Sequence, residues 1–149
     1  MDAAILHYCK YQERCHSEVR NKLFELGFTT NEVERQLAGL IETGVLNEER
    51  FARAFARGRF KMKQWGREKI KQQLKLRKIS DYCIRKAMEE IDGDEYENTL
   101  IKLSSKKWAE SKKDRSLTSR KSKLYRYLVQ KGYERDLVME AINDNIKTT

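Results

Sequence analysis

The sequence predicts an all-α protein: a tandem array of three three-helix, helix-turn-helix-like repeats, elongated and curved. Three observations carry that prediction. A pattern of apolar residues recurs three times, over 19–40, 70–91 and 124–146, at offsets of 51 and 54 residues. A period of that length marks a repeat architecture, in which each unit completes its core by stacking on a neighbour. Within each copy the apolar positions step by three and four, the period of a helix face. No proline interrupts the 149 residues.

The matching positions are Val19, Ile70 and Leu124, then Leu23, Leu74 and Leu128, then Phe28, Ile79 and Tyr133. Val33, Ile84 and Val138 follow, then Leu37, Met88 and Ile142. Each copy reads as a helix, a tight turn and a second helix. In the first copy, Val19, Leu23 and Leu26 form the stripe, and Gly27 supplies a left-handed residue at the helix end. Thr29 and Glu32 have capping-box spacing for the next helix, which Gly44 ends. The third copy repeats this with Gly132, Tyr133 and Val138. The second places Lys78 where the others have glycine. A left-handed lysine costs about 1 kcal/mol relative to glycine, so a different turn is expected there. Ser80 is the cap that follows it.

A further helix precedes each pair, over roughly 3–14, 48–65 and 95–110. In the middle one, Asn47 is a favourable N-cap, and Phe51, Phe55, Gly58 and Met62 share a face. Gly66 opens the next helix. The stretch 111–122 is polar and without period, and reads as the longest mobile connection. The three repeats are therefore expected over 1–46, 47–92 and 93–149.

Hydrophobic residues make up 39% of the chain and charged residues 37%, a folded but thin helical composition. No run approaches about 18 apolar residues, and the N-terminus lacks the basic region and cleavage site of a signal peptide, so no membrane association is expected. Cys9, Cys15 and Cys83 are odd in number and lack paired spacing, which favours reduced thiols in a cytoplasm. His7, Cys9, Cys15 and His16 lack the paired knuckles of a zinc site, and no metal or cofactor is expected. Phosphate-loop, nucleophile-elbow and zinc-protease motifs are absent, so no catalytic residue is assigned and the chain is not read as an enzyme.

The net charge of +9 is uneven: −2 over 1–46, +7 over 47–92 and +4 over 93–149. Such asymmetry points to a polyanionic partner facing the middle and last repeats. Arg50, Arg53, Arg57 and Lys61 form one column at helical spacing. Arg67, Lys71, Lys75 and Lys78 form a second. Arg50, Arg53, Arg57, Lys61, Arg67, Lys71 and Lys75 are the candidate contact residues, either to phosphates or to an acidic protein surface. Trp65 and Trp108 sit among basic residues, as stacking platforms or as core plugs.

The segment LNEERFARAFARGRFKMKQWGREKIKQQL, residues 46–74, resembles the signature of the RecX family of bacterial regulators. That signature reads L-(N/D)-(D/E)-x-R-F-A, a basic helix, W/K-G and K/R-I-x-x-x-L. The matching residues are Leu46, Asn47, Glu48, Arg50, Phe51, Ala52, Trp65, Gly66, Ile70 and Leu74. The flanks ERCHSEVRNKLFELGF and KLYRYLVQKGYERDLVMEAI agree as well. Lys78 departs from the family's usual glycine, and Cys15 from its frequent serine cap. The resemblance implies a negative regulator of the recombinase RecA, and the chain is expected to be monomeric and cytoplasmic. Such a protein lies along the RecA filament on DNA and lowers its extension, ATPase, strand-exchange and coprotease activities. Its partners would be the RecA filament and single- or double-stranded DNA, directly or within the filament. The alternative from the residues alone is a helix-turn-helix-like module acting directly on DNA.

Overall fold

A computed structural model describes residues 1–148. Among them are nine helices and no strand. The helices are α1 (Ala3–Tyr11), α2 (His16–Glu25), α3 (Thr30–Glu42), α4 (Glu48–Lys63) and α5 (Arg67–Leu76). They continue with α6 (Asp81–Met88), α7 (Gly93–Glu110), α8 (Leu117–Lys131) and α9 (Arg135–Lys147). The fold is an all-α helical repeat. Its shared positions are core positions: all are buried except Phe28 and Met88, which are half-buried.

The three turns have one geometry. The N–H groups of Gly27, Lys78 and Gly132 donate to the carbonyls of Phe24, Lys75 and Val129 at 3.0, 2.9 and 3.0 Å. The next N–H groups, of Phe28, Ile79 and Tyr133, reach back to Leu23, Leu74 and Leu128 at 3.2, 3.1 and 3.1 Å. These paired bonds close a helix by a left-handed residue. Lys78 adopts φ +61°, beside +95° at Gly27 and +104° at Gly132. The expected change of turn does not occur. Burial of Ile79 and the two turn bonds outweigh a backbone penalty of about 1 kcal/mol.

The caps follow their sequence signals. Thr29 and Glu32 form the capping box, Asn47 accepts from the Arg50 N–H at 2.8 Å, and Ser80 accepts from the Cys83 N–H at 3.2 Å. Cys15 starts α2 in place of a serine. Its backbone N–H donates to Glu18 at 3.5 Å, and its thiol donates to the same carboxylate at 3.0 Å. Burial raises the pKa of that thiol, as it does at Cys9 and Cys83. All three are buried and outside any disulfide.

The described chain divides into two compact units. The first comprises Met1–Ala56 and Gln73–Glu90. Within it, Ile5, Val19, Leu23, Val33, Leu37, Leu40 and Leu46 form one hydrophobic cluster with Cys9. Leu26, expected on this stripe, is 40% exposed because α2 ends at Glu25 and the chain is already reversing. The second unit comprises Arg57–Gln72 and the chain from Ile91 on. It is centred on Tyr96, whose ring lies 5.7 Å from Phe60 and 5.1 Å from Tyr133.

Helix α4 contributes to both units and changes the face it buries. Phe51 and Phe55 are buried in its first half, but in its second half Phe60 is buried and Met62 is 85% exposed. Met62 was expected beside Phe51. Phe60 lies nine residues on, about 180° round the helix, and it is the residue that meets Tyr96.

In the second unit, the start of α5 docks on the end of α8. The N–H groups of Gly66 and Glu68 donate to the carbonyls of Lys131 and Gly132 at 2.8 and 2.9 Å, and the Arg67 N–H donates to the Tyr96 hydroxyl at 3.0 Å. The orphan donors of α5 thus meet orphan acceptors of α8. A Cβ on Gly66 would lie 2.3 Å from the Gly132 carbonyl carbon, so glycine is required there for space. At Gly27, by contrast, nothing lies within 4 Å of such a Cβ, and only the left-handed φ matters.

The expected mobile connection over 111–122 is only half loop. Ser116 caps α8 by accepting from the Ser119 N–H at 3.1 Å, so helix begins at Leu117. Asp114 accepts from Lys123 Nζ at 2.9 Å and from the Ser116 N–H at 3.0 Å. The Lys123 hydrogen bond, with those from Ser119 and Ser116, holds the Asp114 carboxyl well below the usual carboxylate range.

Candidate interaction surface

Arg50, Arg53, Arg57 and Lys61 lie on α4 and Arg67, Lys71 and Lys75 on α5, whereas Lys78 lies in the turn after α5; their side chains have different surroundings. Arg50 grips Glu13 through Nε at 2.7 Å. Its Nη1 and Nη2 donate to the Gly44 and Val45 carbonyls at 3.1 and 2.9 Å. It therefore ties down the link between α3 and α4. Arg53 is ringed by three carboxylates: Glu49 at 3.0 Å, Glu90 at 3.0 Å and Glu89 at 3.1 Å. The hydrogen bond it donates to Glu49, with those to Glu90 and Glu89, raises its pKa. These contacts fasten α4 to the end of α6.

Arg67 is likewise engaged. Its Nη1 donates to Glu134 at 2.8 Å, and its guanidinium carbon sits 4.0 Å from the centre of the Tyr96 ring. The Tyr96 hydroxyl donates to the other Glu134 oxygen. Burial, then that carboxylate, pushes the Tyr96 phenol far above its ordinary range. This is a half-buried polar cluster in which every charge has a partner.

Arg57, Lys61 and Lys75 are exposed, and Lys71 is 40% exposed at its side chain, 3.9 Å from Glu68. Lys78 is exposed too. In the second unit, Lys61 edges a polar groove of about 430 Å³ with Gln64, Glu95, Asn98, Thr99 and Lys102. The seven candidates thus separate into Arg50, Arg53 and Arg67, held by carboxylates; Lys61, Lys71 and Lys75 on the solvent side; and Arg57, exposed but itself engaged.

The two tryptophans also differ. Trp108 is 6% exposed, with the Arg120 guanidinium 3.8 Å from its ring centre and bonded to its carbonyl at 2.9 Å. It is a core plug. Trp65 is half-buried, and Lys69, Arg59 and Lys63 stand 4.4, 5.5 and 5.7 Å from its ring centre. Arg59 and Lys69 were not singled out from sequence. Lys69 follows Trp65 by four residues across the α5 start, a spacing that brings side chains together only once the turn at Gly66 is known. Among the described residues, no helix is long and apolar enough to cross a membrane.

Two family models match this chain. The RecX second three-helix domain matches residues 47–88, and the RecX third three-helix domain matches residues 94–142. The regulatory protein RecX of Clostridium perfringens strain 13 is 33% identical over 124 residues, which is 83% of this chain. The chain spans 58% of that relative's length. The regulatory protein RecX of Prosthecochloris aestuarii is 26% identical over 137 residues, covering 92% of this chain and 87% of the relative. The crystal structure of RecX from Lactobacillus salivarius has the same fold, with a TM-score of 0.81 at 23% identity over 95% of this chain and 92% of that one. With both domain models matched in order and relatives similar across most of its length, the chain belongs to the RecX family of regulatory proteins.

Proposed function

We propose that this chain is a cytoplasmic, monomeric, negative regulator of RecA. It binds the RecA filament on DNA and lowers filament extension, ATP hydrolysis, strand exchange and coprotease activity. Membership of the RecX family supports this reading. The observation that carries it is the set of lysines on the solvent side of α4 and α5: Lys61, Lys71 and Lys75. Exposed cations at helical spacing suit a polyanionic surface, whether phosphate or an acidic protein groove. Arg50, Arg53 and Arg67 then serve by holding the helices that carry the others.

RecA-dependent ATP hydrolysis on single-stranded DNA tests the reading. Adding this chain should depress the steady-state rate in proportion to its concentration; an unchanged rate at saturating chain rejects it. A second reading, direct action on DNA, draws support from the half-buried Trp65 and its three cations, which have the composition of a stacking site. Affinity for naked single-stranded DNA, compared at matched salt with affinity for RecA-coated DNA, separates the two. Tighter binding to naked DNA favours the second.

A further inference from the structure

In a chain of net charge +9, the second unit contains a groove of the opposite character. It runs between α7 and α9, with a volume of about 290 Å³. Leu100, Ile101 and Leu137 form its apolar lining; Ile101 is 50% exposed and Leu137 half-buried. Glu97, Glu140 and Asp144 stand at its rim, all exposed. Among the described residues, these three carboxylates take part in no ion pair. The basic residue that reaches the groove, Arg67, is already neutralised by Glu134.

The arrangement follows from spacing. On α7, Glu97, Leu100 and Ile101 occupy positions i, i+3 and i+4. On α9, Leu137, Glu140 and Asp144 occupy i, i+3 and i+7. Two neighbouring helices therefore border one apolar floor with acids. That is the form of a groove for an amphipathic helix, with an apolar floor for anchors and a charged margin for orientation.

We infer that the α7–α9 groove binds a basic amphipathic helix of a partner protein. Apolar residues of that helix at i and i+4 would fill the space over Leu100, Ile101 and Leu137. Its lysines and arginines would pair with Glu97, Glu140 and Asp144. The inference goes beyond the proposed regulation of RecA and does not rest on it. The cations of α4 and α5 take a polyanion, whereas this groove takes a cation-rich protein segment.

The test uses the full chain and, as a basic amphipathic probe, a synthetic peptide with the sequence of residues 67–80 of this chain, REKIKQQLKLRKIS. It carries Ile and Leu at i and i+4 among six basic residues. Saturable binding is expected by anisotropy of the labelled peptide, with amide shift changes in the labelled chain confined to α7 and α9. A Glu97→Lys, Glu140→Lys double variant should bind about 10-fold or more weakly, while Lys61→Glu, Lys71→Glu binds as the parent does. The double groove variant should inhibit RecA ATPase as the parent does, so this inference and the RecA reading can fail separately. Absence of saturable binding, shift changes elsewhere, or undiminished affinity in the groove variant overturns the inference. So does sedimentation that finds the chain alone dimerised through α7 and α9, which would make a second copy the occupant.

Discussion

The two halves of α4 carry the same kind of residue to different ends. In the first half, Arg53 sits among Glu49, Glu89 and Glu90, and Arg50 clasps Glu13 and two backbone carbonyls. In the second half, Lys61 stands exposed at the edge of a polar groove. All of these fall on one column of a helical wheel. A column fixes direction only; whether a cation is available depends on what the rest of the chain brings to it. Arg67 and Lys71 repeat the lesson on α5, the first held by Glu134 and Tyr96 and the second on the solvent side.

The largest effect expected from this contrast is on binding. Lys61→Glu with Lys71→Glu should weaken affinity for RecA-coated single-stranded DNA by about 100-fold at low salt, with a shallower salt dependence and an unchanged helical circular dichroism spectrum. Next is Arg67→Ala, which leaves Glu134 half-buried without its cation. A loss of about 2 kcal/mol is expected from urea unfolding, with little change in affinity of the folded protein. The same cluster sets an alkaline limit. Folding raises the Tyr96 phenol, so the stabilisation is intact below the ordinary phenol pKa of about 10. As pH rises above that value the unfolded chain ionises first and stability falls. Tyr96→Phe should flatten this slope in urea titrations from pH 9 to 11.

Arg53→Ala should lower the urea midpoint by less than Arg67→Ala, because two of its three partners, Glu49 and Glu89, are more open to solvent than Glu134, and should leave filament affinity in place. An Arg53→Ala variant that loses affinity while keeping its midpoint would erase the contrast between the halves of α4. The smallest effect is at Lys78, where charge and backbone separate. Lys78→Gly relieves the left-handed lysine and should raise stability by about 0.5–1 kcal/mol. Filament affinity should fall no more than slightly with the loss of one exposed charge.

Local patterns gave most of the fold. Val19, Ile70 and Leu124 belong to buried helix faces, and Thr29, Asn47 and Ser80 are caps, because apolar period and capping act within one or two turns. What escaped depends on distant residues. Phe60 replaces Met62 because Tyr96, 36 residues on, provides its neighbour. Arg53 is occupied because Glu89 and Glu90 reach it from the far side of α5 and α6. Ser116 starts a helix in a stretch read as loop, since a cap flanked by lysines resembles a polar linker until Asp114 and Lys123 close on it. The left-handed Lys78 was foreseen as a cost but not as tolerated, because a single turn's penalty is small beside the burial of Ile79. The candidate cations were legible as a list, and their partners were not.

The most direct measurement titrates three proteins into RecA-dependent ATP hydrolysis on single-stranded DNA: the parent chain, Lys61→Glu with Lys71→Glu, and Arg53→Ala. The account predicts that the parent and Arg53→Ala depress the rate alike, while the doubly reversed variant, folded, does not. Equal inhibition by all three, or loss of inhibition at Arg53→Ala alone, would contradict it.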